Sequence, residues 1–136
     1  MIEFGLAFMV IFPVFAGCFE LGYGFFQYNK LETAVRAGAR YAALRDYNSS
    51  TSTPAASYLL SVRNTVLYGD PNGGAIPVVP GLRPQNIDVV VNMVNGVPRA
   101  VTVGVVNYQL DAVVKTITLN QKPQVMFRYV GRMSAP

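Results

Sequence analysis

The chain has 136 residues, 51% of them hydrophobic, and a net charge of +4. That length fits one compact domain, or an anchor followed by a domain of roughly 90 residues. Histidine is absent, which excludes imidazole-based metal sites and triads, and the lone Cys18 has no second thiol for an internal disulfide or metal cluster. Basic residues are scattered from Lys30 to Arg132 rather than massed, so no nucleic-acid partner is expected.

The first element reads as a helix. From Phe4 to Asn29 the only charged residue is Glu20, and Phe4, Phe8, Phe12, Phe15, Phe19, Tyr23 and Phe26 recur at steps of 4, 4, 3, 4, 4 and 3. That periodicity sets all seven aromatics on one stripe. Leu6, Met9, Val10, Ile11 and Val14 make the other faces apolar too, so the helix belongs in lipid or in a large buried core. Cys18 lies inside this run and reads as a small hydrophobe. A bilayer takes about 20 apolar residues, and Phe4 to Phe26 suffices with Glu20 near the interface. A secretory signal fits poorly. No basic region precedes the run, no small-residue cleavage site ends it, and it exceeds the usual apolar length of about 7–15 residues.

Helical character continues through "YNKLETAVRAGARYAALRDY", where Glu32 and Arg36 stand four apart in the favourable order. Ala34, Ala37, Gly38, Ala39, Ala42 and Ala43 form a small-residue segment that lets another helix approach closely, with Arg36 and Arg40 on a polar face beside it. The expectation is one helix from about Ile2 to Asp46, about 65 Å long at about 1.5 Å per residue. In so short a chain, such a helix is expected to need partner subunits. Pro13 removes one helical hydrogen bond and is expected to kink or locally open it. Glu20 reads most simply as a residue at the membrane edge. Glu3 is less easily placed, because a carboxylate just before a hydrophobic span is costly unless it finds a partner.

The remainder has ordinary soluble composition. "NSSTST" (Asn48 to Thr53) is loop, and its Asn48-Ser49-Ser50 sequon carries little weight. Thr53-Pro54 reads as an N-cap and first helical residue, opening a helix from Pro54 to Tyr68. Tyr58, Leu59, Val62 and Val66 form its apolar face, and Gly69 stops it. "YGDPNGGAIPVVPGLRP" reads as a structured surface loop, since no strand precedes it and no Gly-Lys-Ser/Thr closes it as a phosphate loop would need. Ile87, Val89, Val91 and Met93 alternate with polar residues, and Asn95-Gly96 then signals a hairpin. A valine-rich return strand from Arg99 to Gln109 follows. After an ambiguous stretch, Leu110 to Leu119, a last strand runs from Gln121 to Val130 with Val125, Phe127 and Tyr129 on one face. The expected fold class is α+β: a long hydrophobic helix, then a second helix packed on a three- to four-stranded antiparallel sheet. The expected division is residues 1–47 as anchor or filament core and 48–136 as globular domain. Asp88 and Asp111 read as solvent-facing strand residues. No catalytic carboxylate pair, nucleophile motif or metal constellation is visible, and neither an enzyme nor a cofactor is expected.

The architecture and the segment "IEFGLAFMVIFPVFAGCFELGYGFFQYNKLETAVRAGARYAA" resemble the TadE-like family of tight-adherence pilus proteins, which are type IV pilin-like. The resemblance is carried by Glu3-Phe4, the proline-broken apolar run at Pro13, Glu20-Leu21-Gly22 and the Val35 to Ala43 segment. "VRNTVLYGDPNGG" and "VPGLRPQNIDVVV" are similar to later parts of the family. It implies a pilin or pseudopilin, made as an inner-membrane precursor, trimmed by a prepilin peptidase and inserted by an assembly platform into an extracellular filament. The partners implied are copies of itself and other pilins. The family's early glutamate, matched by Glu3, would meet a neighbouring subunit's terminal amine and fix axial register. Pro13 would mark a locally opened helix that lets the filament core pack. Glu3 stands closer to the start of this sequence than the family's glutamate does to its own, which leaves open which residue carries that amine. The subunit–subunit residues expected on this reading are Glu3, Phe4, Phe8, Phe12, Pro13, Phe15, Phe19, Glu20, Arg36 and Arg40.

Three readings remain from the sequence. The first is a structural subunit of an adhesive surface pilus, with the aromatic stripe as helix–helix packing. The second is a minor membrane-anchored pseudopilin needed for assembly. The third is a single-pass membrane protein whose soluble domain binds a ligand.

Overall fold

The computed structural model describes residues 2–111 and 116–133. α1 runs from Ile2 to Leu44 as one 43-residue helix, ending within two residues of the expected boundary. Helix continues without interruption through Pro13. The proline therefore does not break the helix into two elements.

The two halves of α1 meet different surroundings. Residues up to Phe26 are almost all exposed, whereas Gln27, Leu31, Ala34, Val35, Gly38, Ala39, Ala42 and Ala43 are buried. The small-residue segment is occupied by the chain's own second helix, α2 (Ala56–Tyr68), rather than by another subunit. Gly38 is the point of closest approach, where an added Cβ would collide with Val66 Cγ2. Ala37 is exposed and takes no part in this contact. Leu31, Val35, Ala39 and Ala42, all at 0% exposure, share one core with Tyr47, Tyr58, Val62, Val66 and the sheet. The second half of α1 therefore does bury against its own domain, and a cut after residue 47 would pass through that core.

α2 begins at Ala56, two residues later than the Thr53-Pro54 signal predicts, and Ala55 is an extended N-cap without a side-chain bond. The reason lies in the preceding loop. Ser49 Oγ donates to the Thr53 carbonyl (2.8 Å), and the Thr51 hydroxyl reaches the same oxygen. Thr53 is thereby held in the loop. At the other end Gly69 adopts a left-handed φ of 76° and donates to the Thr65 carbonyl, the stop its position predicts. The glycine- and proline-rich loop that follows is anchored: Val79 and Leu82 are buried, Val78 N–H donates to Leu67 O, and Tyr108 OH donates to Pro80 O.

β1 (Ile87–Val94) and β2 (Val97–Val105) form the expected hairpin around Asn95-Gly96, both at positive φ (52° and 74°), as a type I′ turn requires. β5 (Gln124–Arg128) joins the other side of β2, giving an antiparallel sheet in the order β1-β2-β5. Its inner face carries Val89, Val103 and Val125 in one row and Val91, Val101 and Phe127 in the next. α1 packs on β2 and β5.

The return strand ends at Val105 rather than at Gln109. Asn86, buried in a 3-10 turn (Pro84–Asn86), uses its amide group to donate to the carbonyls of Val106 (3.1 Å) and Asn107 (2.8 Å). Asn107 bends away at φ 49°. The chain then forms a separate two-stranded sheet, β3 (Tyr108–Asp111) with β4 (Thr116–Leu119), part of the stretch that reads as ambiguous in sequence. Positions 112–115 of that stretch lie outside the described residues. The expected single sheet of three to four strands is thus a three-stranded sheet plus a two-stranded one, and the α+β class stands.

Candidate functional site

The ten residues singled out in the sequence lie along α1, and none of them lines the groove beside the sheet. Phe4, Phe8, Phe12, Phe15 and Phe19 are all exposed, from 56% to 78%. Phe8 and Phe12 stack with ring centroids 5.4 Å apart. Tyr23 and Phe26 continue the stripe, with the Lys30 ammonium 5.1 Å from the Phe26 ring centre. Ile2, Leu6, Met9, Val10, Ile11 and Val14 are exposed on the remaining faces, and Cys18 is exposed among them. This is an apolar surface on all sides of a helix, long and apolar enough to cross a membrane. A monomer in water would not keep so large an apolar patch uncovered.

Glu3 lies exposed in the first turn, where a carboxylate also meets the positive end of the helix dipole. Glu20 differs from its neighbours. With Ala16 and Gly24, four residues to either side, it is half-buried, and four-residue steps place these three on one side of the helix. Gln27, where full burial begins, lies close to the same side. Glu20 therefore faces the side on which the domain sits. Arg36 and Arg40 are exposed on the domain half, and Arg36 is bonded to Glu32 (2.6 Å) within the helix. They stand well along the chain from Glu3 and belong to a different surface.

The other end of α1 carries a cluster that the sequence reading did not single out. The final carbonyls of a helix lack intrahelical partners, and here residues near the end of the chain supply them. Val130 and Gly131 both donate their N–H groups to the Ala43 carbonyl (3.0 Å each), and Tyr129 OH reaches the Arg45 carbonyl (2.8 Å). Tyr58 OH donates to the Ala42 carbonyl (2.6 Å). Tyr47 packs edge-on against both Tyr58 and Tyr129. Burial pushes the Tyr58 phenol well above its ordinary value, with nearby Tyr129 and Tyr47 adding to the shift. Tyr47 and Tyr129 are raised by burial as well. The Tyr58 and Tyr129 hydroxyls are donors holding the helix end, while the Tyr47 hydroxyl donates to the Thr51 carbonyl in the following loop. The alternation Val125, Phe127, Tyr129 marked the strand in sequence, but nothing local could reveal that Tyr129 closes a helix 84 residues away.

Two surfaces thus stand out: the bare apolar half of α1, and a groove of about 870 Å³ between β1 and the 50–54 loop. Among the described residues, no three acidic or thiol side chains come together as metal ligands.

Compared with known proteins, residues 1–40 match the model of a family described as TadE-like protein, the family that the sequence resembles. The match covers the apolar half of α1 and the start of its buried half. No curated protein matches, and no solved structure does.

Proposed function

From a chain whose first 40 residues are TadE-like, we propose that it is a structural subunit of a tight-adherence pilus, polymerising through the first half of α1. The observation that carries this reading is the contrast in burial along one helix. Its second half is embedded in its own domain, while the large apolar residues from Ile2 to Phe26 lie exposed on every face of the first half. Before assembly lipid covers that surface; in the filament, the same half-helices of neighbouring copies do. Glu3 pairs with a neighbour's terminal amine, since a carboxylate drawn into an apolar core is tolerable when paired and sets the axial register. The aromatic stripe supplies the packing. On this reading the protein passes from the inner membrane to an extracellular filament through a prepilin peptidase and an assembly platform.

The test is electron microscopy of the fraction sheared from cells, with mass spectrometry of its main protein. Thin fibres built mainly of this chain support the subunit reading, and trace amounts among fibres of another protein make it a minor pseudopilin. Glu3→Ala should abolish or slow fibre formation while leaving the domain's thermal unfolding unchanged. Normal fibres from that variant would remove the pairing account of Glu3.

A further inference from the structure

The sheet has an uncovered edge that uses none of the apolar residues of α1. Val106 N–H donates to Asn86 O (2.8 Å) just before the β1–β2 ladder, and Val105 N–H turns the other way to Pro123 O. Because bonding direction alternates along an antiparallel pair, Asp88, Val90 and Asn92 face β2. Ile87, Val89 and Val91 therefore direct their N–H and C=O groups away from it. The Ile87 N–H is taken up by the Pro84 carbonyl, and among the described residues no backbone or side-chain partner reaches the outward groups of Val89 and Val91. Exposed edges are usually blunted by proline, lysine or a bulge in mid-strand. β1 has neither residue, and its single irregularity falls late, between Asn92 and Met93.

The groove of about 870 Å³ runs beside this edge, with β1 from Asp88 to Met93 as one wall and Ser50 to Pro54, Leu59 and Arg63 as the other. The far wall is built rather than loose: Tyr47 OH donates to Thr51 O (2.6 Å) and Ser49 Oγ to Thr53 O (2.8 Å). Six strand residues give about 20 Å of edge at about 3.3 Å each. Arg63 is half-buried, and its Nε is fully buried without a hydrogen-bond partner. A buried guanidinium N–H without an acceptor is a costly arrangement that a carboxylate relieves.

We infer that this groove receives an extended segment of a partner protein, added as a strand alongside β1, with an acidic side chain paired to the Arg63 guanidinium that lines the groove. Strand addition draws affinity from main-chain bonds and specificity from flanking side chains, here Arg63 and the apolar Leu59 and Met93. Asp88 lines the same groove, so the partner's carboxylate sits toward Arg63 and away from it. A second folded copy is the less favoured occupant, because it would bring its own 50–54 wall into the space a bare strand fills.

The test uses the full ¹⁵N-labelled chain in lipid nanodiscs and capped octapeptides of alternating Thr and Val. One carries a central Glu, a second carries Lys there, and a third is the Glu peptide N-methylated on alternate residues. The Glu peptide should slow amide exchange at Val89 and Val91 by about tenfold or more, leaving Met126 on the opposite sheet edge unchanged. The Lys peptide should bind about tenfold more weakly, a gap that Arg63→Gln should close. N-methylation that blocks the edge-facing amides should abolish the effect. No slowing at millimolar Glu peptide, equal binding of the Glu and Lys peptides, or equal slowing at Met126 would each overturn the inference. So would slowing at Val89 and Val91 that rises with protein concentration without peptide, which would make a second copy the occupant.

Discussion

The two halves of α1 are one continuous helix with opposite solutions to the same problem. Up to Phe26 large apolar side chains stand exposed on every face. From Gln27 onward one face is reduced to alanine, glycine and a few aliphatics, and the domain sits directly on it, while Arg36 and Arg40 remain in solvent. Size and sidedness of residues, not hydrophobicity alone, separate a helix that serves its own fold from one that must be covered by something else. A small-residue face lets a neighbouring backbone approach, whereas a bulky all-round surface has no single partner in view.

The sharpest way to break this comparison is to cut between the halves and, separately, behind them. A fragment of residues 27–136 should unfold cooperatively in denaturant, whereas 48–136 should show no cooperative transition. The shorter fragment loses Leu31, Val35, Ala39, Ala42 and Tyr47, each fully buried. Full burial of one Leu or Val is worth about 1.5–3 kcal/mol, and several of these exceed the usual net stability of about 5–15 kcal/mol. A cooperative 48–136 fragment would mean that α1 is only appended to the domain.

Glycine substitutions probe the same contrast more gently. Gly38→Ala should cost about 1–3 kcal/mol, since the new methyl meets Val66 and the helices must part. Gly22→Ala meets nothing within 4 Å and should leave the unfolding midpoint of the detergent-solubilised chain unchanged. Equal losses at both positions would erase the distinction between the halves.

The tyrosine cluster at the buried end predicts a pH response. The phenols of Tyr47, Tyr58 and Tyr129 are held above the ordinary value of about 10. A raised phenol pKa means that the folded state keeps protons that the unfolded state has released. Stability from this source is therefore complete below about pH 10 and falls as pH rises above it. Tyr58→Phe should cost about 1–3 kcal/mol at neutral pH, through the Ala42 carbonyl left without its hydroxyl donor, and should flatten the alkaline loss. The check is chemical denaturation of wild type and variant from pH 7 to 11. The smallest effect belongs to the solvent face. Glu32→Gln breaks the exposed Glu32–Arg36 pair and should shift stability by no more than about 0.5 kcal/mol.

What the sequence disclosed follows from the range of the forces involved. The length of α1, the stop at Gly69 and the Asn95-Gly96 turn are dictated by residues within a few positions of each other, and they were legible. The break at Asn107 was not, because Asn86, about 20 positions earlier, makes it. The small-residue face announced close packing without naming the partner, since local periodicity is the same whether α2 or another subunit fills it. The start of α2 was misplaced because hydroxyl bonds in the 49–53 loop outcompete a good capping signal. Of the site residues, the exposed apolar stripe was plain in the sequence. The open edge of β1 depends on strand order, which no alternation pattern encodes.

The fastening of the helix end by Val130 and Gly131, backed by Tyr129, also sets an order of events during synthesis. When the ribosome has finished α1, Tyr58, which holds the Ala42 carbonyl, follows soon after, but Tyr129, which closes the helix end at the Arg45 carbonyl, lies 84 residues further along the message. The core that buries Leu31 to Ala43 waits on the same late strand. The greasy first half, by contrast, is complete as soon as it emerges. The nascent chain thus presents its most insoluble segment long before its domain can close, so what covers that segment must be met while the rest is still being made.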